Sequence, residues 1–259
     1  MLELYGEKLN SHLIIGSAKY PSLSVMEKAI IAAKSDLVTI ALRRLSPEKK
    51  EKNQFWETIK KLNVKILPNT SGCYHSKEAV QTALLARELF STNWIKLEIF
   101  GDSYTLQPNP FELLKATEEL MKLNFCVFPY MTDDLVLAKE LVNLGCEVLM
   151  PWASPIGSGK GILNPFYLKI LRARFPKTKL IIDAGIGCPS HAAYAMELGM
   201  DGVLLNSAIA MSHEPIVMAN AFALAIESGK LAFQSGLMPE SDFAQPSSPI
   251  LGVAFRNEQ

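Results

Sequence analysis

The residues best suited to chemistry stand in the run Asn93-Trp94-Ile95-Lys96-Leu97-Glu98-Ile99. Side chains alternate along a strand, so Trp94, Lys96 and Glu98 share one face while Ile95, Leu97 and Ile99 share the other. A strand face that packs on helices takes the aliphatic set, which sends Lys96 and Glu98 inward. Moving two charges into a low-dielectric interior costs several kcal/mol per ion before pairing. Two readings account for them: a buried structural ion pair, or a lysine kept partly neutral for attack on a carbonyl beside a carboxylate that moves protons. A second carboxylate, Asp183, ends the apolar run Leu180-Ile181-Ile182-Asp183-Ala184-Gly185-Ile186-Gly187. Alone it could be only a cap for the following helix, a common use of Asp at that point. Beside an inward Lys96 and Glu98, the catalytic reading gains.

Three segments offer places for an anion. They are Ser154-Pro155-Ile156-Gly157-Ser158-Gly159-Lys160-Gly161, then Ala184-Gly185-Ile186-Gly187, then Asn206-Ser207. Glycine lets backbone N–H groups approach a phosphate closely, and helix N-termini favour negative charge. Each segment alone is a weak signal, because glycines also simply close turns. Lys160 is followed by Gly161 rather than Ser or Thr, so this is no Walker loop. His12, His75, His191 and His213 lack metal-ligand spacing with any cysteine, and no metal site is expected. Cys73 and Cys188 fall near loop mouths but read first as small structural residues. The pair Arg43-Arg44 reads as a solvated basic surface.

The elements that must position these residues alternate along the chain. Short apolar runs at 12–18, 37–42, 64–68, 94–100, 125–130, 147–151, 180–184 and 202–206 read as strands. Amphipathic segments at 22–34, 53–62, 76–89, 110–123, 134–144, 165–174, 189–198 and 215–227 read as helices. Ser76 ahead of Glu78, and the pair Asp133-Asp134, supply helix-start signals. Eight βα units with apolar strands predict an α/β fold, a single (β/α)8 TIM barrel over residues 1–237. In such a barrel active sites lie at the C-terminal ends of the strands, and phosphate is often held after strands seven and eight. Residues 238–259 are rich in Pro and Ser and read as a C-terminal tail, flexible unless something docks it.

The 259 residues carry 26 Lys plus Arg and 26 Asp plus Glu, a formal net charge of zero. Bulk charge therefore argues against a nucleic-acid or membrane-surface partner. Four cysteines without a C-x-x-C pair fit a reducing compartment. The opening residues lack a signal-peptide pattern, and no uninterrupted apolar run approaches the ~20 residues of a bilayer span. A cytoplasmic location is expected.

The chain also resembles the thiazole synthase family, whose members assemble the thiazole phosphate ring of thiamin in bacteria. The resemblance covers nearly the whole chain. It rests on Val38-Thr39-Ile40-Ala41-Leu42-Arg43-Arg44, Leu67-Pro68-Asn69-Thr70-Ser71-Gly72-Cys73 and Thr92-Asn93-Trp94-Ile95-Lys96-Leu97-Glu98. It continues through Pro129-Tyr130-Met131-Thr132-Asp133-Asp134, the glycine segments above, and Asp201-Gly202-Val203-Leu204-Leu205-Asn206. The resemblance implies that Lys96 forms an imine with 1-deoxy-D-xylulose 5-phosphate, and that Glu98 and Asp183 transfer protons. It implies sugar-phosphate binding at Gly157, Ala184, Gly185, Asn206 and Ser207. Dehydroglycine and a small sulfur-carrier protein with a C-terminal thiocarboxylate would be the other partners, with no further cofactor. Ser207 stands where the family usually has threonine, which keeps the hydroxyl, and Met131, Lys160 and Cys188 are local departures. Helical barrel exteriors often self-associate, so a homo-oligomer is expected. Two rivals remain at this level: an aldolase-like or isomerase barrel, and a non-catalytic docking scaffold for a carrier.

Overall fold

A computed structural model describes residues 1–42 and 51–247. Arg43-Arg44, and the tail from residue 248 on, lie outside the described residues. The chain begins with an antiparallel hairpin of β1 (Leu2–Leu4) and β2 (Glu7–Leu9), paired Leu2 to Leu9 and Leu4 to Glu7. Tyr5 and Gly6 form its two-residue turn, with φ of 46° and 77°. Positive φ at both central positions suits the right-handed twist of a hairpin.

Eight parallel strands follow and close into a barrel. They are β3 (Leu13–Gly16), β4 (Leu37–Ala41), β5 (Lys65–Asn69), β6 (Trp94–Leu97), β7 (Cys126–Met131), β8 (Val148–Pro151), β9 (Lys179–Asp183) and β10 (Gly202–Leu205). Closure comes from β10 pairing with β3, Val203 opposite Leu13. The helices outside are α1 (Leu23–Ala33), α2 (Glu51–Leu62), α3 (Ser76–Phe90), α4 (Pro110–Lys122), α5 (Leu135–Asn143), α6 (Pro165–Arg174), α7 (Pro189–Glu197), the short α8 (Ser207–Ala210) and α9 (Pro215–Ser235).

The core divides in two, as strand alternation requires. Ile95, Leu97 and Ile99 pack outward against helix residues such as Ala83, Leu113 and Leu120. Trp94 points inward with Leu37, Leu67, Phe128 and Val148, and the hairpin's Leu2, Leu4 and Leu9 join that cluster. Because Leu37, Trp94 and Val148 open their strands, the hairpin fills the N-terminal end of the barrel. The Tyr5 hydroxyl donates to the Val127 carbonyl at 2.5 Å and fixes it there. The sealed end leaves the opposite mouth for a ligand.

Helix starts are capped by short polar side chains. Ser22 accepts from the Val25 N–H, Asn109 from Phe111 and Glu112, and Asp134 from Leu137. Ser76 is the first residue of α3 rather than its cap; the Glu112 carboxylate accepts its N–H at 2.7 Å. Asp133 does no capping: it accepts from Trp152 Nε1 at 3.2 Å and Asn164 Nδ2 at 2.7 Å, anchoring the β8–α6 connection.

The last helix runs past the expected end at residue 227 to Ser235. Ser228-Gly229 looks like a stop signal, yet a Cβ at Gly229 would sit 2.3 Å from the Ala193 carbonyl oxygen of α7. The glycine permits close helix packing there. By length and composition α9 would suffice for a bilayer span. It lies instead along α1 and α7, burying Ala219, Phe222, Ile226 and Gly229 at helical spacing.

Candidate active site

The inward faces of β6 and β9 bring three charged side chains together at the open mouth. Lys96 Nζ lies 2.9 Å from Glu98 Oε1 and 2.6 Å from Asp183 Oδ2. The three residues are only 6%, 4% and 4% exposed. One cation between two carboxylates in so dry a place is a costly arrangement for structure alone, since apolar residues of similar volume are often as stable or more so.

Burial opposes the charge on Lys96, but Asp183 and then Glu98 outweigh it, and the lysine pKa is raised. The amine is thus held as an ammonium. This corrects the expectation of a partly neutral lysine; two contacting carboxylates decide the matter. Burial raises the Asp183 pKa, with the Glu98 charge adding to it against the pull of Lys96. Asp183, 2.6 Å from Nζ and with its pKa raised, is therefore well placed to accept a proton from Lys96.

Glu98 lies one residue beyond the β6 ladder, where strand hydrogen bonds no longer fix it. The buried Thr70 holds it: Thr70 Oγ1 donates to the Glu98 carbonyl at 2.8 Å and accepts from its N–H at 2.9 Å, while Thr70 N–H donates to the Lys96 carbonyl at 3.1 Å. Thr70→Val keeps the shape and strands both Glu98 backbone groups. The expected result is a loss of about 1–3 kcal/mol in unfolding free energy, read by urea denaturation. An unchanged midpoint and slope would show that the hydroxyl contributes nothing.

Above the three charges opens a cavity of about 1000 Å³. Lys96, Glu98 and Asp183 line it, as do Gly157, Ala184, Gly185, Asn206 and Ser207, so the structure gathers all eight sequence-selected residues around one space. The glycine loops interlock there. Gly161 N–H donates to the Gly185 carbonyl at 2.8 Å and Ala153 N–H to the Ala184 carbonyl at 3.2 Å. A Cβ at Gly185 would lie 2.1 Å from Ser154 Oγ, and one at Gly187 would lie 2.3 Å from the Gly159 carbonyl oxygen. Ala184 holds φ at 79°, a left-handed conformation costing roughly 1–2 kcal/mol for a residue with a Cβ. Such strain next to Asp183 is the kind found where a site dictates backbone direction.

Asn206 bridges the seam of the barrel: with its amide turned so that Nδ2 faces them, it donates to the carbonyls of Ala18 at 2.8 Å and Gly16 at 3.2 Å. It thereby has a structural duty beside any contact with a ligand. Ser207 Oγ accepts from Lys19 Nζ at 3.4 Å. Lys19, at φ 68°, also lines the cavity and brings a cation to the end where Ser207 stands. Sequence reasoning missed Lys19, Thr70 and Ser154, which ties the loops through Ser158 Oγ at 2.9 Å and the Gly185 carbonyl at 3.3 Å. It also missed His191, whose Nδ1 accepts from Gly187 N–H at 3.3 Å and whose ring fills the space a side chain at Gly161 would need. The legible signal for Lys19, Thr70 and Ser154 was their place just past a strand end; His191 had none.

Among the described residues no cluster of His, Cys, Asp and Glu has an arrangement suited to a metal ion. None of the four cysteines is in a disulfide; Cys73 and Cys146 are buried and Cys126 and Cys188 half-buried.

Fold and site together define a (β/α)8-barrel protein with a buried lysine–dicarboxylate centre at the C-terminal mouth of its strands. The family profile described as thiazole biosynthesis protein ThiG matches residues 3–249, and the chain belongs to that family. The thiazole synthase of Brucella anthropi is 54% identical over 255 residues, covering 98% of this chain and all of the relative. That of Brucella canis is 53% identical over the same length and coverage. Among solved structures, the Amycolatopsis orientalis BexX/CysO complex contains a chain similar to this one at a TM-score of 0.85 and 26% identity. The match spans 93% of this chain and 98% of that one.

Proposed function

We propose that this protein is a thiazole synthase, joining 1-deoxy-D-xylulose 5-phosphate, dehydroglycine and the sulfur of a thiocarboxylated carrier protein into the thiazole phosphate of thiamin. The observation that carries the reading is the Lys96 amine set between two buried carboxylates, facing interlocked glycine loops, in a chain of this family. A scaffold that only docked a carrier would have no use for so costly a buried trio. An aldolase-like barrel would use the lysine but needs no sulfur donor.

In this reading Gly157, Ala184, Gly185, Asn206 and Ser207 hold the sugar phosphate, leaving its ketone near Lys96. Lys96 passes a proton to Asp183 Oδ2, 2.6 Å away, and the neutral amine adds to C2. Water leaves, forming an iminium that draws electrons from C3. Glu98 or Asp183 then removes the C3 proton, giving an enaminol whose tautomer carries the carbonyl at C3. There the carrier's thiocarboxylate adds; later steps release the carrier, add dehydroglycine and close the ring. A positioned acid or base contributes roughly 10²–10⁴-fold, so either carboxylate variant keeps residual activity.

The cavity of about 1000 Å³ is at the upper end of the ~300–1000 Å³ usual for small-ligand sites, leaving room for a second reactant beside the sugar. A protein partner is supported by the BexX chain having been solved in complex with CysO. Four cysteines with no disulfide among them favour a reducing, cytoplasmic setting.

The test is borohydride reduction of the full chain with 1-deoxy-D-xylulose 5-phosphate, followed by peptide mass spectrometry. The adduct is expected on Lys96. Because the lysine pKa is raised, the neutral amine fraction grows with pH, so trapping is expected to accelerate from pH 6 to pH 8. Label on another lysine with Lys96 unmodified would reject the assignment.

A further inference from the structure

Tyr130 is the polar group of this centre that the reaction above leaves unused. It lies on β7, two residues beyond the inward-facing Phe128, and β7 pairs with β6 with Phe128 opposite Lys96. Lys96 Nζ stands 5.9 Å from its ring centroid. The residue is 1% exposed, and its hydroxyl has no hydrogen-bond partner among the described residues. An unsatisfied buried hydroxyl is a standing cost, whereas phenylalanine would fill the same space without one. Retention of the hydroxyl calls for a moment at which it finds an acceptor.

The chemistry supplies that moment through a count of donors. An ammonium has three N–H groups, and Lys96 uses them on Glu98 and Asp183 together. When the amine adds to C2 and water leaves, the iminium nitrogen keeps a single N–H. One of the two carboxylates must then lose its hydrogen bond to that nitrogen. Asp183 Oδ2 is the exposed party: it is fully buried, and beyond Lys96 no donor among the described residues bonds to it.

We infer that Tyr130 is a positioning residue of this centre, its phenol and the Asp183 carboxylate drawing together so that the O–H donates to Asp183 once Lys96 has become an iminium. The inference rests on the imine reading proposed above. Burial first, then the charges of Asp183 and Glu98, hold the phenol pKa above its ordinary value. The hydroxyl therefore keeps its proton and remains a donor.

The experiment compares the full-length chain with Tyr130→Phe, in the wild-type and in the Lys96→Met background. In the wild-type background Tyr130→Phe is expected to leave Tm unchanged or higher, because the deleted hydroxyl bonds nothing at rest. The KM for 1-deoxy-D-xylulose 5-phosphate stays within about twofold while the trapping rate at Lys96 falls about 10–100-fold, the rate equivalent of one hydrogen bond to a charged group. The acid limb of the rate–pH profile moves to higher pH, since losing a donor favours the protonated carboxyl. In Lys96→Met the carboxylates have already lost their cation, so Tyr130→Phe is expected to lower Tm there. That thermal cycle needs no substrate, so a wild-type chain that forms no Lys96 adduct would sink the imine reading while the cycle still judges Tyr130. Wild-type rates and profile in Tyr130→Phe, a lower Tm in the wild-type background, or equal effects in both backgrounds would overturn the inference.

Discussion

Lys96→Ala is expected to form no borohydride adduct and to lose about 3–5 kcal/mol of stability at pH 8, the usual consequence of removing one partner from a buried ion pair. The loss follows from what remains: Glu98 and Asp183, both nearly inaccessible, with no cation between them. Its dependence on pH identifies the cause. Burial already raises the Asp183 pKa with Lys96 in place; without Lys96 that elevation grows. A carboxyl whose folded pKa exceeds its unfolded value favours the folded state fully below the unfolded pKa, and this contribution is lost as pH rises through the folded one. The difference between variant and wild type should therefore be small near pH 4–5 and full by pH 8. Urea midpoints measured at both ends provide the check. A deficit equal at the two pH values would mean that the carboxylates do not share a dry site.

Gly185→Ala is expected to have the second largest effect. The new Cβ would stand 2.1 Å from Ser154 Oγ and 2.5 Å from Ser154 N, at a φ of +82°. The serine cannot swing away freely, because its hydroxyl is tied to Ser158 and to the Gly185 carbonyl. Left-handed backbone costs about 1–2 kcal/mol, and overpacking about 1–3 kcal/mol more. The loop that carries Ala184 and Gly185 would shift away from its partner loop, and a displacement near 1 Å is enough to lower turnover by about 10²-fold. Gly157→Ala is the comparison: at φ +74° it shares the strain, but its Cβ would meet nothing within 4 Å. Thermal melts and the Kd for 1-deoxy-D-xylulose 5-phosphate should separate the two variants clearly. Equal behaviour would show that loop interlocking has no part in holding the sugar phosphate.

Much of this centre could be read from one strand. The alternation of Trp94, Lys96 and Glu98 with Ile95, Leu97 and Ile99 is enough to assign faces, because a strand's period is two wherever it pairs. Repetition of βα units gave the barrel in the same way, and the barrel dictates that strand ends meet at one mouth. The opening hairpin was not legible. Three-residue strands are too short to show a period, and only the unfilled N-terminal end of a closed barrel gives Leu2, Leu4 and Leu9 somewhere to go. Likewise Gly229 looks like the end of a helix until Ala193 is seen against it.

The sequence by itself determined which side chains face inward and in what order the elements follow, since both depend on neighbours a few residues apart. Tertiary structure alone decided the charge state of Lys96, the grip of Thr70 on Glu98, the locking of the Gly185 loop by Ser154 and the isolation of the Tyr130 hydroxyl. Each of these depends on distances of a few ångströms between residues far apart along the chain, and on a dryness that exists only once the barrel has closed.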